Sequence, residues 1–200
     1  MNLEKCMMRT VFYTGFGLLV LSQTVMAGDK DSAEAFLKSK LDAIFEVLQK
    51  KDLEQQTKHD QIEEIVTPMF DFQLMAKLSL GKKDWPGLTQ ENRERFSELF
   101  IQRLRKSYLN KLTAYTDEKI IYKSPIEVKK KIHVPTDLVS KGKNISMLYK
   151  FHKSKNNWKI YDIEIQGVSI IRSYRSQCNE ILQDGTFDDL LQKLRAPLEN

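Results

Sequence analysis

The chain has 200 residues, 41% hydrophobic and 30% charged, with a formal net charge of +5 and two cysteines. That length suits one hydrophobic core without covalent staples, and the composition excludes a low-complexity, collagenous or disulfide-framework protein. The positive charge is scattered, with no basic block interleaved with aromatics, which argues against a nucleic-acid partner.

The first residues read as a removable secretion leader. Lys5 and Arg9 give a basic start, Val11 to Leu21 is apolar, and Val25-Met26-Ala27 offers small residues for a cut after Ala27. The apolar run is shorter than the roughly 20 residues of a membrane helix and contains Gly15 and Gly17. Cys6 lies ahead of the run, not at its end, so lipid attachment is not expected. The expectation is a cleaved signal peptide, 1–27, and one domain, 28–200. The leader's Lys5, Arg9 and Glu4 carry one net positive charge, so the mature chain keeps +4. Cys178 then has no partner for an internal disulfide, and its neighbours Ile170, Ile171, Tyr174 and Ile181 mark it as a buried apolar residue.

Asp31 and Ser32 open a first helix to about Lys51, with Leu37, Leu41, Ile44 and Leu48 as its stripe. After a polar break, 51–59, a second helix starts at Asp60, where Asp60-x-x-Glu63 resembles a capping box, and Pro68 ends it. Asp71 caps a third that stops at Gly81. Trp85-Pro86-Gly87 is a turn, and Thr89 caps the longest helix, which runs to about Leu112 and spans roughly 34 Å. Its apolar residues, including Phe96, Leu99, Phe100, Leu104, Tyr108 and Leu112, cover more than half its circumference, so it is expected to be covered on two sides.

Strands follow over 120–123, 126–134, 144–152 and 158–165, separated by Pro, Gly and Asn turns. The fold class is α+β: a twisted antiparallel sheet of about four strands packed on helices, with an added helical part. In the last strand, strict alternation puts Lys159, Tyr161, Ile163 and Ile165 on one face and Trp158, Ile160, Asp162 and Glu164 on the other. Gly167 makes a sharp corner, Ser169 caps a helix to about Gln183, and Thr186-x-x-Asp189 caps a last one bearing Phe187, Leu190, Leu191 and Leu194.

Little of this looks catalytic. His59, His133 and His152 have no metal-ligand spacing, and no phosphate loop, nucleophile elbow or HExxH is present; no metal or cofactor is expected. One constellation invites an enzymatic reading: Asp162 on an apolar face near Tyr149 could act as the general base of a small cup-shaped enzyme.

Three stretches carry a resemblance: VTPMFDFQLMAKLSLGKKDW (66–85), LTQENRERFSELFIQRLRKSYLNKL (88–112) and NNWKIYDIEIQGVSIIRSYRSQCNEILQDGTFDDLLQKL (156–194). The W-K-x-Y-D strand, the G-V-S corner and the Y-R-x-Q helix, in that order, resemble the MlaC, or toluene-tolerance, family of periplasmic phospholipid-binding proteins. The resemblance implies an NTF2-like fold and a non-enzymatic periplasmic lipid carrier. It further implies partners: an outer-membrane lipoprotein complex and an inner-membrane ABC transporter with an MCE-domain protein, between which phospholipid or a related amphiphile moves to maintain outer-membrane asymmetry. Cys178, where an aromatic is common, and Lys82-Lys83-Asp84-Trp85 depart from the family pattern.

A lipid tail crossing water exposed would cost on the order of 10 kcal/mol, at about 0.8 kcal/mol per CH₂, so a carrier needs an apolar pocket. Its expected lining is Phe96, Phe100, Leu104, Tyr108, Met147, Tyr149, Ile160, Val168 and Ile171.

Overall fold

Helix ends follow from side chains that satisfy free backbone N–H groups. In the computed structural model, which describes residues 28–112, 119–140 and 142–197, Asp71 accepts from Leu74 N, Thr89 from Asn92 N, Ser169 from Arg172 N and Thr186 from Asp189 N. These caps open four of six helices: α1 (Asp29–Gln49), α2 (Gln55–Val66), α3 (Phe72–Asp84), α4 (Gln90–Leu112), α5 (Ile170–Asp184) and α6 (Phe187–Arg195). The expected leader, its cleavage point and Cys6 lie outside the described residues.

One helix start differs from expectation: α2 begins at Gln55, five residues before Asp60. Its added turn places Lys58 over the end of α1, where the ammonium donates to Leu48 O at 3.3 Å, and Gln56 reaches Asp60 one turn on. The second half of the polar stretch read as a break, 55–59, is thus helix held by its neighbour's carbonyl end, while 51–54 stays non-helical. Pro68 ends α2 in a 3₁₀ turn, Thr67–Met69, and Gly81, at φ +91°, interrupts α3 where the stop was expected.

The sheet has six antiparallel strands, two more than the four expected: β1 (Lys119–Tyr122), β2 (Ile126–Val128), β3 (Lys131–Ser140), β4 (Lys143–Ser154), β5 (Asn157–Ile165) and β6 (Val168–Ser169). Their order is β1-β3-β4-β5-β6, with β2 also on β3. The expected strand 126–134 divides at Lys129-Lys130, a two-residue hairpin without the usual Gly or Asn, and β3 runs on through Pro135. Proline is tolerated there because the N and carbonyl of an extended residue point the same way. The Pro135 carbonyl accepts from Lys123 N, in the gap between β1 and β2, so its missing N–H costs no ladder bond.

A β-bulge in β5 decides what each sheet face carries. Lys150 pairs with Asp162 but Phe151 with Ile160, leaving Tyr161 as the extra residue. The parity of β5 therefore reverses at Tyr161. Trp158, Ile160, Ile163 and Ile165 share the inner face, while Asp162 and Glu164 point outward with Lys150, against the strict alternation expected from the sequence.

Helix α1 packs on the inner face through Phe36, edge-on to Phe151, and through Ser32, which accepts from Trp158 Nε1 at 3.0 Å. Helices α3 and α5 pack together and abut β5, where Asp71 N donates to Ile160 O. Helix α4 lies among α2, α3 and α6: Arg105 pairs with Glu63 at 2.5 Å on one side, and Phe96 meets Trp85 and Phe187 on the other. Its broad apolar surface is covered on two sides, as its stripe requires, chiefly by helices.

Candidate functional site

The inner sheet face is graded from one end to the other. Beneath α1, Ile132, Val134, Phe151, Trp158 and Ile160 are buried. Towards the other end the floor is only half covered. Tyr122, Thr136, Met147 and Ile165 lie side by side across β1, β3, β4 and β5, and Ile120, Leu138 and Ile145 form the next row. Of these seven, all but Thr136 are half-buried. Alternation on β3 and β4 against the partner strands makes this trough almost wholly apolar.

Polar groups interrupt it at two points. Thr136 is 1% exposed and its Oγ1 has no hydrogen-bond partner among the described residues. The buried Tyr149 hydroxyl donates to Met147 Sδ at 3.5 Å, and burial raises its pKa. Tyr122, at the trough's edge, is pushed up to about 12, first by burial and then by Asp42 and Glu34 of α1. A buried hydroxyl without a partner is uncommon and costly, so Thr136 stands out on an apolar floor.

The nine residues expected to line a pocket fall into separate places. Met147 and Tyr149 sit on the trough floor, and Ile160 lies on the same face under the helices. Phe96 and Phe100 stack at 6.0 Å, and Phe100 meets Tyr174 of α5 edge-on at 5.1 Å, in an aromatic knot between helices. Leu104 is buried and Tyr108 half-buried further along α4, and Ile171 is buried in the first turn of α5. Val168 is 61% exposed on the Gln166-Gly167 hairpin. The expected lining left out Ile120, Tyr122, Thr136, Leu138, Ile145 and Ile165 of the trough. Their signal was period-2 spacing, which gains meaning only once cross-strand register is known.

Two clefts lie elsewhere, and neither includes any of the nine residues. One, of about 470 Å³, runs between Leu80–Asp84 and Arg175–Gln183. The other, of about 920 Å³, opens on the outer face among Lys129, Lys130, Lys131, His133, His152, Lys153 and Tyr161.

The outer face carries an ion cluster. Lys150 donates to Asp162 at 2.9 Å and to Glu164 at 2.6 Å, and Arg172 reaches Glu164 at 2.9 Å. Burial alone would lower the Lys150 pKa, but the bonds to Glu164 and Asp162 outweigh it and leave it raised. Glu164 is held below its ordinary value, chiefly by the Lys150 hydrogen bond. Asp162 also accepts from Ser169 Oγ at 2.8 Å and Ile171 N at 3.2 Å. Its carboxylate thus caps α5 and ties that helix to β5. The register places Ile163, not Asp162, opposite Tyr149. Both premises of the general-base reading, an apolar setting and closeness to Tyr149, are corrected. His152 bonds Asp71 at 2.9 Å and joins β4 to the start of α3, while burial pushes the Cys178 thiol up to about 12, far from a reactive thiolate.

The family model of the MlaC protein matches residues 38–196. The chain belongs to the MlaC family. Its fold is similar to that of a phospholipid-binding protein of Ralstonia solanacearum, solved in complex with a phospholipid. The TM-score is 0.72 at 22% identity, over 81% of this chain and 94% of that one. No curated protein sequence matches it. In this MlaC-family chain, among the described residues, no helix is long and apolar enough to cross a membrane, and no three His, Cys, Asp or Glu gather as metal ligands.

Proposed function

We propose that this MlaC-family protein is a periplasmic phospholipid carrier and not an enzyme. On this reading residues 1–27 are its cleaved leader, and the mature domain moves lipid between an outer-membrane complex and an inner-membrane ABC transporter bearing an MCE-domain protein. The observation that carries the reading is the half-covered apolar trough, set in a fold similar to that of a phospholipid-binding protein.

The acyl chains occupy the trough, with Met147 and Tyr149 on its floor and Leu138 and Ile165 beside them. Leu104, Tyr108, Ile160 and Ile171 are the proposed deeper walls. Phe96 and Phe100 hold the helices in place, and Val168 marks the outer rim. Each CH₂ buried contributes about 0.8 kcal/mol, so a long tail can be held by apolar contact alone. The unpartnered Thr136 hydroxyl donates to an ester carbonyl, and the Tyr149 hydroxyl can do so in place of its long bond to Met147 Sδ.

The test is uptake of a tail-labelled phospholipid from vesicles by the mature chain. Met147→Asp places a carboxylate on the floor and should reduce uptake by roughly tenfold or more, since burying that charge against a tail is costly. Undiminished uptake by a folded variant would rule the trough out as the lipid seat.

A further inference from the structure

The outer face and the two hairpin tips at one end of the sheet form a surface that the carrier reading leaves unused. The pairing of Ile132 with Phe151 brings the β2–β3 tip, Lys129-Lys130, to the same end as the β4–β5 tip, Lys155-Asn156. In each tip a lysine occupies the left-handed region, Lys129 at φ +61° and Lys155 at φ +48°, where Gly, Asn or Asp is the usual choice. Such outliers cost stability and are kept where they place a side chain usefully.

Charge there is one-sided. Lys129, Lys130 and Lys155 are exposed and make no ion pair among the described residues, and Lys131 lies over the Tyr161 ring at 4.0 Å. Lys153 pairs with Asp29 at 2.6 Å, which leaves Glu127 as the cleft's remaining carboxylate. Burial, and then Lys150, lowers the His133 pKa.

Apolar groups accompany the lysines. Ile126 and Val128 are 54% and 41% exposed, and their partners His133 and Lys131 put them on the outer face beside the cleft. Exposed large aliphatics adjoining unpaired lysines combine what interfacial proteins use: side chains that enter the head-group layer and cations that meet lipid phosphates.

We infer that this end of the sheet docks the protein on an anionic lipid surface, with Ile126 and Val128 entering the head-group layer and Lys129, Lys130, Lys131 and Lys155 facing the phosphates. The partner is the bilayer surface itself. Docking there is independent of what the trough holds.

Sedimentation of the mature protein with vesicles of phosphatidylglycerol and phosphatidylcholine in equal parts, against phosphatidylcholine alone, tests this. Binding should appear with the anionic vesicles and weaken as salt rises. At about fivefold per lysine, Lys129→Glu with Lys130→Glu should weaken it at least 25-fold. Ile126→Ser with Val128→Ser should weaken it and leave its salt dependence intact. Lys82→Glu with Lys83→Glu, the same charge change on exposed residues of α3, should leave it unaltered. No binding to anionic vesicles, or equal loss from the α3 pair, overturns the inference. Binding of an acidic protein in place of vesicles would do so as well. Uptake of labelled lipid, read on the same variants, reports the trough separately.

Discussion

The two faces of the sheet are made from the same strands and carry opposite chemistry. Inside, residues from four strands make an apolar floor buried under α1 and half open beyond it; outside, Lys150, Asp162, Glu164 and Arg172 form a bonded ion cluster. One extra residue separates the two arrangements. Had β5 paired without its bulge at Tyr161, Asp162 and Glu164 would have entered the apolar floor, and Ile163 and Ile165 would have faced water. The trough and the α5 cap thus share one cause.

The largest effect is expected where the inner face is sealed. Phe151→Ala removes a fully buried ring that meets Phe36 and Trp158, and urea denaturation should show a loss of about 3–5 kcal/mol. A similar loss from Met147→Ala, at the half-covered end, would contradict the gradation along the floor.

Next is the outer face. Asp162→Ala removes the acceptor of Ile171 N and Ser169 Oγ and one of two partners of Lys150, and should cost about 3 kcal/mol. Asp162→Asn keeps an acceptor and should cost less. The enzymatic reading predicts instead that Asp162→Asn abolishes turnover while leaving lipid uptake alone.

The ion cluster also sets a pH dependence. Glu164 is depressed below its ordinary value of 4.5, so its contribution is full above that value and is lost as pH falls through its lower folded pKa. The urea midpoint should therefore decline on acidification below about 4.5, and Glu164→Gln should flatten that decline. An unchanged acid limb would mean that the Lys150 contact contributes nothing.

The smallest effect has the opposite sign. Thr136→Val removes a buried hydroxyl with no partner and should stabilise the lipid-free protein by about 1 kcal/mol while weakening lipid uptake. Destabilisation would show that the hydroxyl has a partner in the folded chain.

These contrasts show which parts of the molecule the sequence declares. Caps at Asp71, Thr89, Ser169 and Thr186 were legible because each is a local bond within one turn. The start of α2 was not, since Lys58 is held by a carbonyl of α1, ten residues back. Nor was the hairpin at Lys129-Lys130, which lacks turn residues. The α+β class followed from periodicity. The floor of the trough did not, because the side each β5 residue faces depends on an unpaired Tyr161 that alternation cannot reveal. The breadth of α4's stripe declared that it is covered on two sides but not by what, and Phe96 and Phe100 pack against α5 and α6.

The most direct test of the carrier reading is native mass spectrometry of the mature protein purified from the periplasm of a host with its membranes intact. The account predicts a population heavier than the bare chain by the mass of a phospholipid, displaced when Met147 is changed to Asp. A single unliganded mass, unchanged after incubation with phospholipid vesicles, would contradict it.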